Sequence, residues 1–501
     1  MDFMKIRDMV RTAVIKTNPY PPFSSLNKVP YRAAIKTFVK VCESFPEIKT
    51  IYLRGGLSEG HFIPALSDID LTVIIGPTVS VEREYRFLRS FWKRYRRMKK
   101  LFPMLGEIEI LNSEELTIST KFGLAGYQAQ SWKLLYGTEM PRHSYTLHPM
   151  SLRRDSLNHA LYVYLEYFVK IFTSQKRSLY IISQDLRRLQ SKILRCLDHS
   201  NGANAVHRVL SDRLSSNMSN VVMFSRVLKS LDDEICRFNK DGIMANNEPH
   251  PALDPGNPPL HTDELLDLRE LADCLDGAIK SVIVNSFNKI FVVLETALDA
   301  PTLKTCMETM IQVFPDKSRM PAIVSASMFE YILRHYEPFK YAHFMAHRRL
   351  VFGEDLLSRI QAPSRNSLID YLLGRVPNLL TFPRSYTVIL GYAPTAFRVR
   401  ELECTVEQCL LLKLYLEKRV VQPSYDKLLV ECENHYSEYF VKLRSLKETR
   451  HANSSQEWFG FLRGLANDVR RCLTKLPDSV DCEYHHESHM IARDRTSRWQ
   501  A

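Results

Sequence analysis

Two aspartates one residue apart, Asp68 and Asp70, open an apolar run in IYLRGGLSEGHFIPALSDIDLTVII, residues 51–75. On a strand, positions i and i+2 face the same side. Asp68 and Asp70 therefore aim together, while Ile69 and Leu71 aim at a core. Two carboxylates held that close raise each other's pKa unless a cation lies between them. Their hard oxygens suit Mg²⁺, which keeps waters and adds phosphate oxygens from a substrate. Gly55-Gly56 ends the preceding strand, in a chain with only 17 glycines. Glycine lets a backbone come close to a phosphate and present its N–H groups, and Ser58 offers a hydroxyl. Further on, GEIEIL, residues 106–111, alternates with period two. Glu107 and Glu109 thus share one face of a third strand, and either can complete the acidic cluster.

Several elements must position these groups. Residues 31–45 carry apolar positions at helical spacing, 49–54 read as a short strand, and IDLTVIIG is a strand closed by Gly76-Pro77. Residues 81–102 form an amphipathic helix. Leu88, Phe91, Trp92, Tyr95 and Phe102 lie on one face, and Arg83, Arg86, Arg89, Lys93, Arg96 and Lys100 on another. A helical stretch then ends in WKLLYGTEMP. The expected fold class is α+β, with a mixed-sheet α/β domain over 1–150 and a helical domain over 151–240. A linker follows over 241–262, which holds five prolines and two glycines. The order of elements then recurs over 263–375. PAIVSASMF and LVFGEDL match PMLGEIEIL and LLYGTEM, so a degenerate second copy of the first unit is expected. It lacks Gly-Gly and Asp-x-Asp, and Ala326 and Met328 stand where the first unit has glutamates, which leaves it chemically silent. Residues 376–480 read as a helical C-terminal domain and 481–501 as a polar tail.

Gly55-Gly56, eleven residues, then Asp68-Ile69-Asp70-Leu71 resembles the signature of the nucleotidyltransferase superfamily that includes DNA polymerase beta. The Ser67-Asp68-Ile69-Asp70 form looks most like its minimal nucleotidyltransferase and aminoglycoside adenylyltransferase branches. The interval to Glu107 and Glu109 also looks like that of the latter branch. The likeness covers about residues 40–140. It implies that Asp68, Asp70 and Glu109 bind two Mg²⁺ ions with an NTP, ATP being the expected one. It implies nucleotide binding for Gly55, Gly56, Ser58 and Ser67. Glu109, or Glu107, would bind the catalytic metal or take the proton of an acceptor hydroxyl. Glu109 is preferred because EILNSEEL runs on like the strand exit of the minimal branch. Gly-Gly replaces the commoner Gly-Ser, so one hydroxyl donor is missing unless Ser58 replaces it. The expected acceptor is a small molecule or a protein. The alternatives are template-independent nucleotide addition to RNA and a non-enzymatic nucleotide-binding scaffold.

Composition bounds these readings. Hydrophobic content of 45% and charged content of 25% are those of a soluble globular chain, not a disordered one. No apolar run is long enough for a membrane span, and the N-terminus reads as an amphipathic helix without a signal-peptide core. The ten cysteines form no CxxC, which fits reduced thiols and a cytoplasmic protein. A net charge of +12 suits a polyanionic partner. The basic helix 83–100 could hold RNA or an acidic protein, although such a run is usually a solvated face. Arg154 and His159 have an R-x4-H spacing that resembles a ribonuclease motif found beside minimal nucleotidyltransferases; the pairing is common by chance and a structural role is expected. His343 and His347 sit at i, i+4 without an HExxH, and His485, His486 and His489 cluster in the tail, so a resident transition metal is not expected there.

Overall fold

The computed structural model describes residues 3–59, 62–77, 80–122, 129, 131–141, 149–173, 189–190, 193–194, 196–197, 220–243, 279–284, 290–295, 299, 301, 321–341, 344, 349–391, 395–421, 424–448 and 454–475. Helices α1 (Phe3–Thr17) and α2 (Phe23–Cys42) lead into β1 (Ile48–Arg54) and β2 (Ile69–Ile75). Helix α3 (Val81–Leu101) crosses over to β3 (Leu105–Asn112), followed by α4 (Ser113–Ser119) and β4 (Lys133–Gly137). The sheet order is β3-β2-β1-β4, with β2 and β3 parallel and the other pairs antiparallel. Helix α3 starts where Ser80 accepts a hydrogen bond from the Arg83 N–H, with Glu82 and Glu84 in its first turn and Lys99 and Lys100 in its last. Both charge placements favour the helix dipole. Its apolar face buries Leu88, Phe91, Trp92, Tyr95 and Met98, and the arginines and lysines of the other face are exposed. The stretch ending in WKLLYGTEMP differs from expectation. Residues 133–137 form a strand, because the free edge of β1 pairs with them from Thr50 to Leu53.

The fold is α+β with two mixed sheets. Strands β5 (Ile279–Val284), β6 (Ile290–Leu294), β7 (Ala322–Ser325) and β8 (Arg349–Gly353) form the second sheet, in the order β7-β6-β5-β8. Its register repeats that of the first. Thr50↔Gly137, Ile51↔Tyr136 and, past an irregularity, Tyr52↔Leu134 become Ser281↔Gly353, Val282↔Phe352 and, past the same irregularity, Ile283↔Leu350. Gly137 and Gly353 both have left-handed backbone, φ +80° and +81°, and a Cβ on either would strike the carbonyl oxygen of Lys49 or Lys280. Two independent sheets would not be expected to share a bulge and a glycine at the same step. The register also corrects the counterparts of the glutamates. Glu109 pairs with Thr72, three residues before the end of β2, and Ala322 pairs with Phe291, three before the end of β6. Ala322 therefore matches Glu109. Ala326 and Met328 lie beyond the strand, in α7 (Ala326–Tyr331), which continues as a π-helix to Tyr336.

The helices trade partners between the two sheets. Helices α5 (Pro149–Thr173) and α6 (Asn220–Ile243) directly follow the first unit, yet their Leu157, Leu161, Phe224, Leu231 and Ile235 enter one core with β5, β6, β7 and α7. The first sheet shares its core with α8 (Arg365–Gly374), α9 (Val376–Thr381), α10 (Tyr386–Leu390), α11 (Thr395–Lys418), α12 (Tyr425–His435), α13 (Ser437–Glu448) and α14 (Ser454–Thr474). A buried ion cluster fastens this second set. Arg384 donates to Glu84 at 2.6 Å and to Glu115 at 2.5 Å, and Arg463 donates to the other Glu84 oxygen at 2.6 Å. The Trp92 indole donates to the Arg384 carbonyl at 2.8 Å. Buried charges persist only when paired and hydrogen-bonded in this way. Residues 241–243 end α6 rather than begin a linker. The rest of 241–262, residues 263–278 and the polar tail lie outside the described residues.

Candidate active site

The acidic residues gather at one end of the first sheet. Arg54 and Asp70 are cross-strand partners, and Thr72 pairs with Glu109. Paired residues share a face, so Arg54, Asp70 and Glu109 rise on the same side of three adjacent strands. Asp70 is half-buried and accepts a hydrogen bond from the Glu107 N–H at 3.1 Å. Asp68 lies one residue before β2 and is exposed. Glu107 is exposed and Glu109 half-buried.

Two glycines seat the aspartates. Gly55 has φ +69°, and a Cβ there would lie 3.1 Å from Asp70 Oδ2. A Cβ on Gly106 would lie 2.5 Å from Asp70 Oδ1 and 2.8 Å from the Asp68 Cβ. Gly106 is thus the floor against which both aspartates rest. Its carbonyl accepts a 2.6 Å hydrogen bond from the Tyr95 hydroxyl. Burial, then the Asp70, Asp68 and Glu107 charges, push the Tyr95 phenol well above its ordinary pKa, so it stays a donor.

The remaining nucleotide-binding candidates build the loop. Gly56 lies in a 3₁₀ turn over Gly55–Leu57. Ser58 is buried and its hydroxyl donates to the Gly55 carbonyl at 2.7 Å, closing that turn. Ser67 is buried too, and its hydroxyl accepts from the Ile63 N–H at 3.0 Å. Tyr31 reaches in from α2. Its hydroxyl accepts from the Ala65 N–H at 2.8 Å and donates to the Ser67 carbonyl at 3.2 Å. Both serine hydroxyls are therefore spent on the backbone that delivers Asp68.

Arg54 is the site residue that spacing alone did not disclose. Its Nη1 donates to Glu109 Oε1 at 2.5 Å and its Nη2 lies 3.2 Å from Glu107 Oε2. Burial alone would lower its pKa; Glu109, Glu107 and Asp70 raise it, and the guanidinium is held charged. Burial raises the Glu109 carboxyl, with Glu107 and Asp70 adding to it and Arg54 opposing. Among the described residues, no three His, Cys, Asp or Glu side chains are already gathered at metal-ligand spacing. The donor set, hard carboxylate oxygens on adjacent strands, nonetheless fits Mg²⁺, and a cationic group already sits against it.

Glu107 and Glu109 also form one wall of a cleft of about 400 Å³. Arg375, Asn378, Glu401 and Gln408 of the α8–α11 region face them across it. Arg375 is held by a 3.1 Å hydrogen bond to the Tyr371 hydroxyl, and burial raises the Glu401 carboxyl. The cleft thus has a wall from each end of the chain.

Neither Arg154 nor His159 lines this cleft. Arg154 is ion-paired with Asp370 and Asp155, and its carbonyl accepts from the Tyr331 hydroxyl. His159 stacks on Tyr162. His343, His347, His485, His486 and His489 lie outside the described residues. Among the described residues no helix is long and apolar enough to cross a membrane. No protein-family model, curated protein or solved structure matches the chain.

Proposed function

We propose that the chain is a Mg²⁺-dependent nucleotidyltransferase that moves a nucleoside monophosphate from an NTP to an acceptor hydroxyl. The observation that carries this reading is Asp70 seated between Gly55 and Gly106, with Asp68 also against Gly106, the Glu107 N–H bonded to Asp70, and Glu107 and Glu109 on the wall of a polar cleft. Asp68, Asp70 and Glu109 would hold the ions. When bound, these offset the triphosphate charge and that of the leaving pyrophosphate. The Gly55-Gly56 backbone would present its N–H groups to phosphate oxygens beside the β1–β2 loop. Glu107, or Glu109 where it does not hold an ion, takes the proton of the acceptor hydroxyl. The acceptor oxygen bonds to the α-phosphorus, the bond from that phosphorus to the β-phosphate oxygen breaks, and pyrophosphate departs. A cleft of about 400 Å³ lined by Arg375, Asn378, Glu401 and Gln408 suits a small polyhydroxyl acceptor, or one hydroxyl side chain of a protein. The test is transfer from each α-labelled NTP with Mg²⁺, with cell extract as acceptor, beside Asp70→Asn. Label on a product with wild type alone supports the reading. Nucleotide binding without transfer to any fraction sinks it in favour of a nucleotide-binding scaffold.

One observation favours RNA as a second acceptor class. Arg86, Arg89, Lys93, Arg97 and Lys100 are exposed on α3. At 1.5 Å per residue they span ~21 Å of one helix face. Their aromatic neighbours Phe91, Trp92 and Tyr95 are buried, so contact with RNA would be to backbone phosphates without base stacking. Adding RNA to the labelled assay tests this. If RNA is the acceptor, label moves to it, and log K falls against log salt with a slope of about −3.5, from ~0.7 per neutralised phosphate. RNA that takes no label, and binds equally well to Arg89→Glu/Lys93→Glu, removes this reading and leaves the small-molecule one.

A further inference from the structure

Arg54 is the last residue of β1, directly before the left-handed Gly55. Its side chain is only 14% exposed. A guanidinium carries five N–H donors, yet among the described residues Arg54 makes one well-formed hydrogen bond, to Glu109, and its Nε and Nη2 are buried without a hydrogen-bond partner. Nη2 is close to Glu107 without donating to it. Buried donors left in this state cost free energy unless a ligand supplies acceptors. The site around Arg54 holds more negative charge than one arginine can offset, since Glu107, Glu109 and Asp70 all act on it. Arg54 therefore serves two demands at once. It neutralises carboxylates that would otherwise repel, and it retains two donor nitrogens without hydrogen-bond partners on the residue directly before Gly55.

We propose that Arg54 is a resident counter-cation of the carboxylate cluster, which competes with divalent metal for Glu109 and becomes a triphosphate ligand when the metal takes that carboxylate. The proposal rests on the nucleotidyltransferase reading, but its first test does not use transfer. An arginine fork suits phosphate oxygens as well as carboxylates, so one side chain can change partner without losing its charge compensation. Glu109 is then never left uncompensated, and the nucleotide binds tightly only after metal has displaced the arginine. Metal and nucleotide would therefore bind with positive coupling through one residue.

A purely structural arginine predicts that its removal weakens every ligand. A counter-cation predicts opposite signs. In the full-length chain, titration calorimetry with Mn²⁺ alone should show Arg54→Gln binding metal about tenfold or more tighter than wild type. The same variant should bind α,β-methylene ATP with Mn²⁺ about tenfold or more weakly. Arg54→Lys keeps the charge and loses the fork. Its Mn²⁺ affinity should stay within about threefold of wild type while its nucleotide affinity drops. This variant also decides the matter if Arg54→Gln does not fold: tightening of Mn²⁺ with lysine would overturn the counter-cation role. Arg54→Gln that melts cooperatively but binds Mn²⁺ no tighter than wild type overturns the proposal. If that Mn²⁺ binding is still lost in Asp70→Asn, the metal site survives it. Absence of Mn²⁺ binding in wild type and in both variants overturns the proposal and the metal-dependent reading together.

Discussion

Asp70 rests between two backbones, Gly55 on one side and Gly106 on the other, and neither leaves room for a Cβ at ordinary contact distance. Gly106→Ala must therefore move Asp70, Asp68 or the start of β3. Overpacking of this kind costs about 1–3 kcal/mol. On the proposed nucleotidyltransferase reading, transfer should fall at least about tenfold, because an ångström of misplacement is costly at a reacting centre. Parallel melting curves and transfer assays on wild type and Gly106→Ala check both figures; full activity in the variant would show that the carboxylates need no such seat. Much of this site was legible in the sequence. The period-two spacing pointed to Asp70 and Glu109, which strand pairing puts on one face with Arg54, while Asp68 lies before β2 and Glu107 at the irregularity between Leu105 and Ile108. Gly106 was legible too, as a glycine opening a strand directly before the two glutamates, but it carries no charge to draw notice. Arg54 was visible beside Gly-Gly, and only the cross-strand pairing with Asp70 reveals that it belongs to the acidic cluster. The serines show the converse: a hydroxyl near a phosphate-type loop reads as a ligand, while its bond to the loop's own backbone depends on a turn that spacing does not specify.

At the scale of elements, the π-helix after α7 buries His335 against Phe238, Tyr331 and α8. Its Nδ1 lies 3.1 Å from the Ser367 hydroxyl. Burial, then the Arg334 and Arg154 charges, hold its pKa down to about 3. An unfolded histidine titrates near ~6.5, so unfolding takes up a proton at any pH between the two values. The stabilisation is complete above that unfolded value and is lost as pH falls toward the folded one, by ~1.4 kcal/mol per unit. His335→Gln should accordingly remove about 2 kcal/mol of the stability that wild type loses between pH 7 and pH 5. Urea unfolding at the two pH values measures this, and an equal pH dependence in both proteins would mean that His335 takes up its proton in the fold as readily as in the unfolded chain. The Arg384 cluster makes a second element-scale prediction. Arg384→Met leaves Glu84 and Glu115 buried with fewer partners, and breaking a buried pair from one side costs about 3–5 kcal/mol. A urea-midpoint loss below about 1 kcal/mol would show that water reaches the glutamates. Periodicity disclosed β1, β2, β3 and α3, because each buries one face and exposes or re-uses the other. It failed at β4, whose burial pattern shows two exposed, two intermediate and one exposed residue. An edge strand half in solvent has no alternation to read, and its identity lies in β1, some eighty residues away.

The whole molecule is wired crosswise, and no local signal in the sequence carries that fact. Besides α2, α3 and α4, the helices that share the first sheet's core come from 365–474, and besides α7 those that share the second sheet's core come from 149–243. Sequence order makes the next helices the natural cover, since consecutive elements usually pack together. Here the ions decide otherwise: Glu84 and Glu115 of the first unit meet Arg384 and Arg463, while Glu234 on α6 meets Arg153 on α5. The candidate cleft inherits this wiring, with Glu107 and Glu109 opposite Glu401 and Gln408. A cut within 244–278 should therefore yield two fragments that need each other. Residues 1–243 alone expose the apolar surface that α8–α14 cover, and residues 279–501 alone expose the surface that α5 and α6 cover. Each should be insoluble when expressed singly. Expressed together they should purify as a one-to-one complex, since burial of two cores is far larger than a standard interface requires. The rewired chain gives the sharper result. Residues 1–141 joined by a flexible linker to 364–475 unite the first sheet with its own helices, and should melt cooperatively and bind Mn²⁺ through Asp70. Residues 1–243 keep the order of the natural chain and the same carboxylates, and should do neither. If instead 1–243 folds and binds Mn²⁺, the first sheet accepts α5 and α6 as its cover, and the crosswise core is not what holds the carboxylates in place.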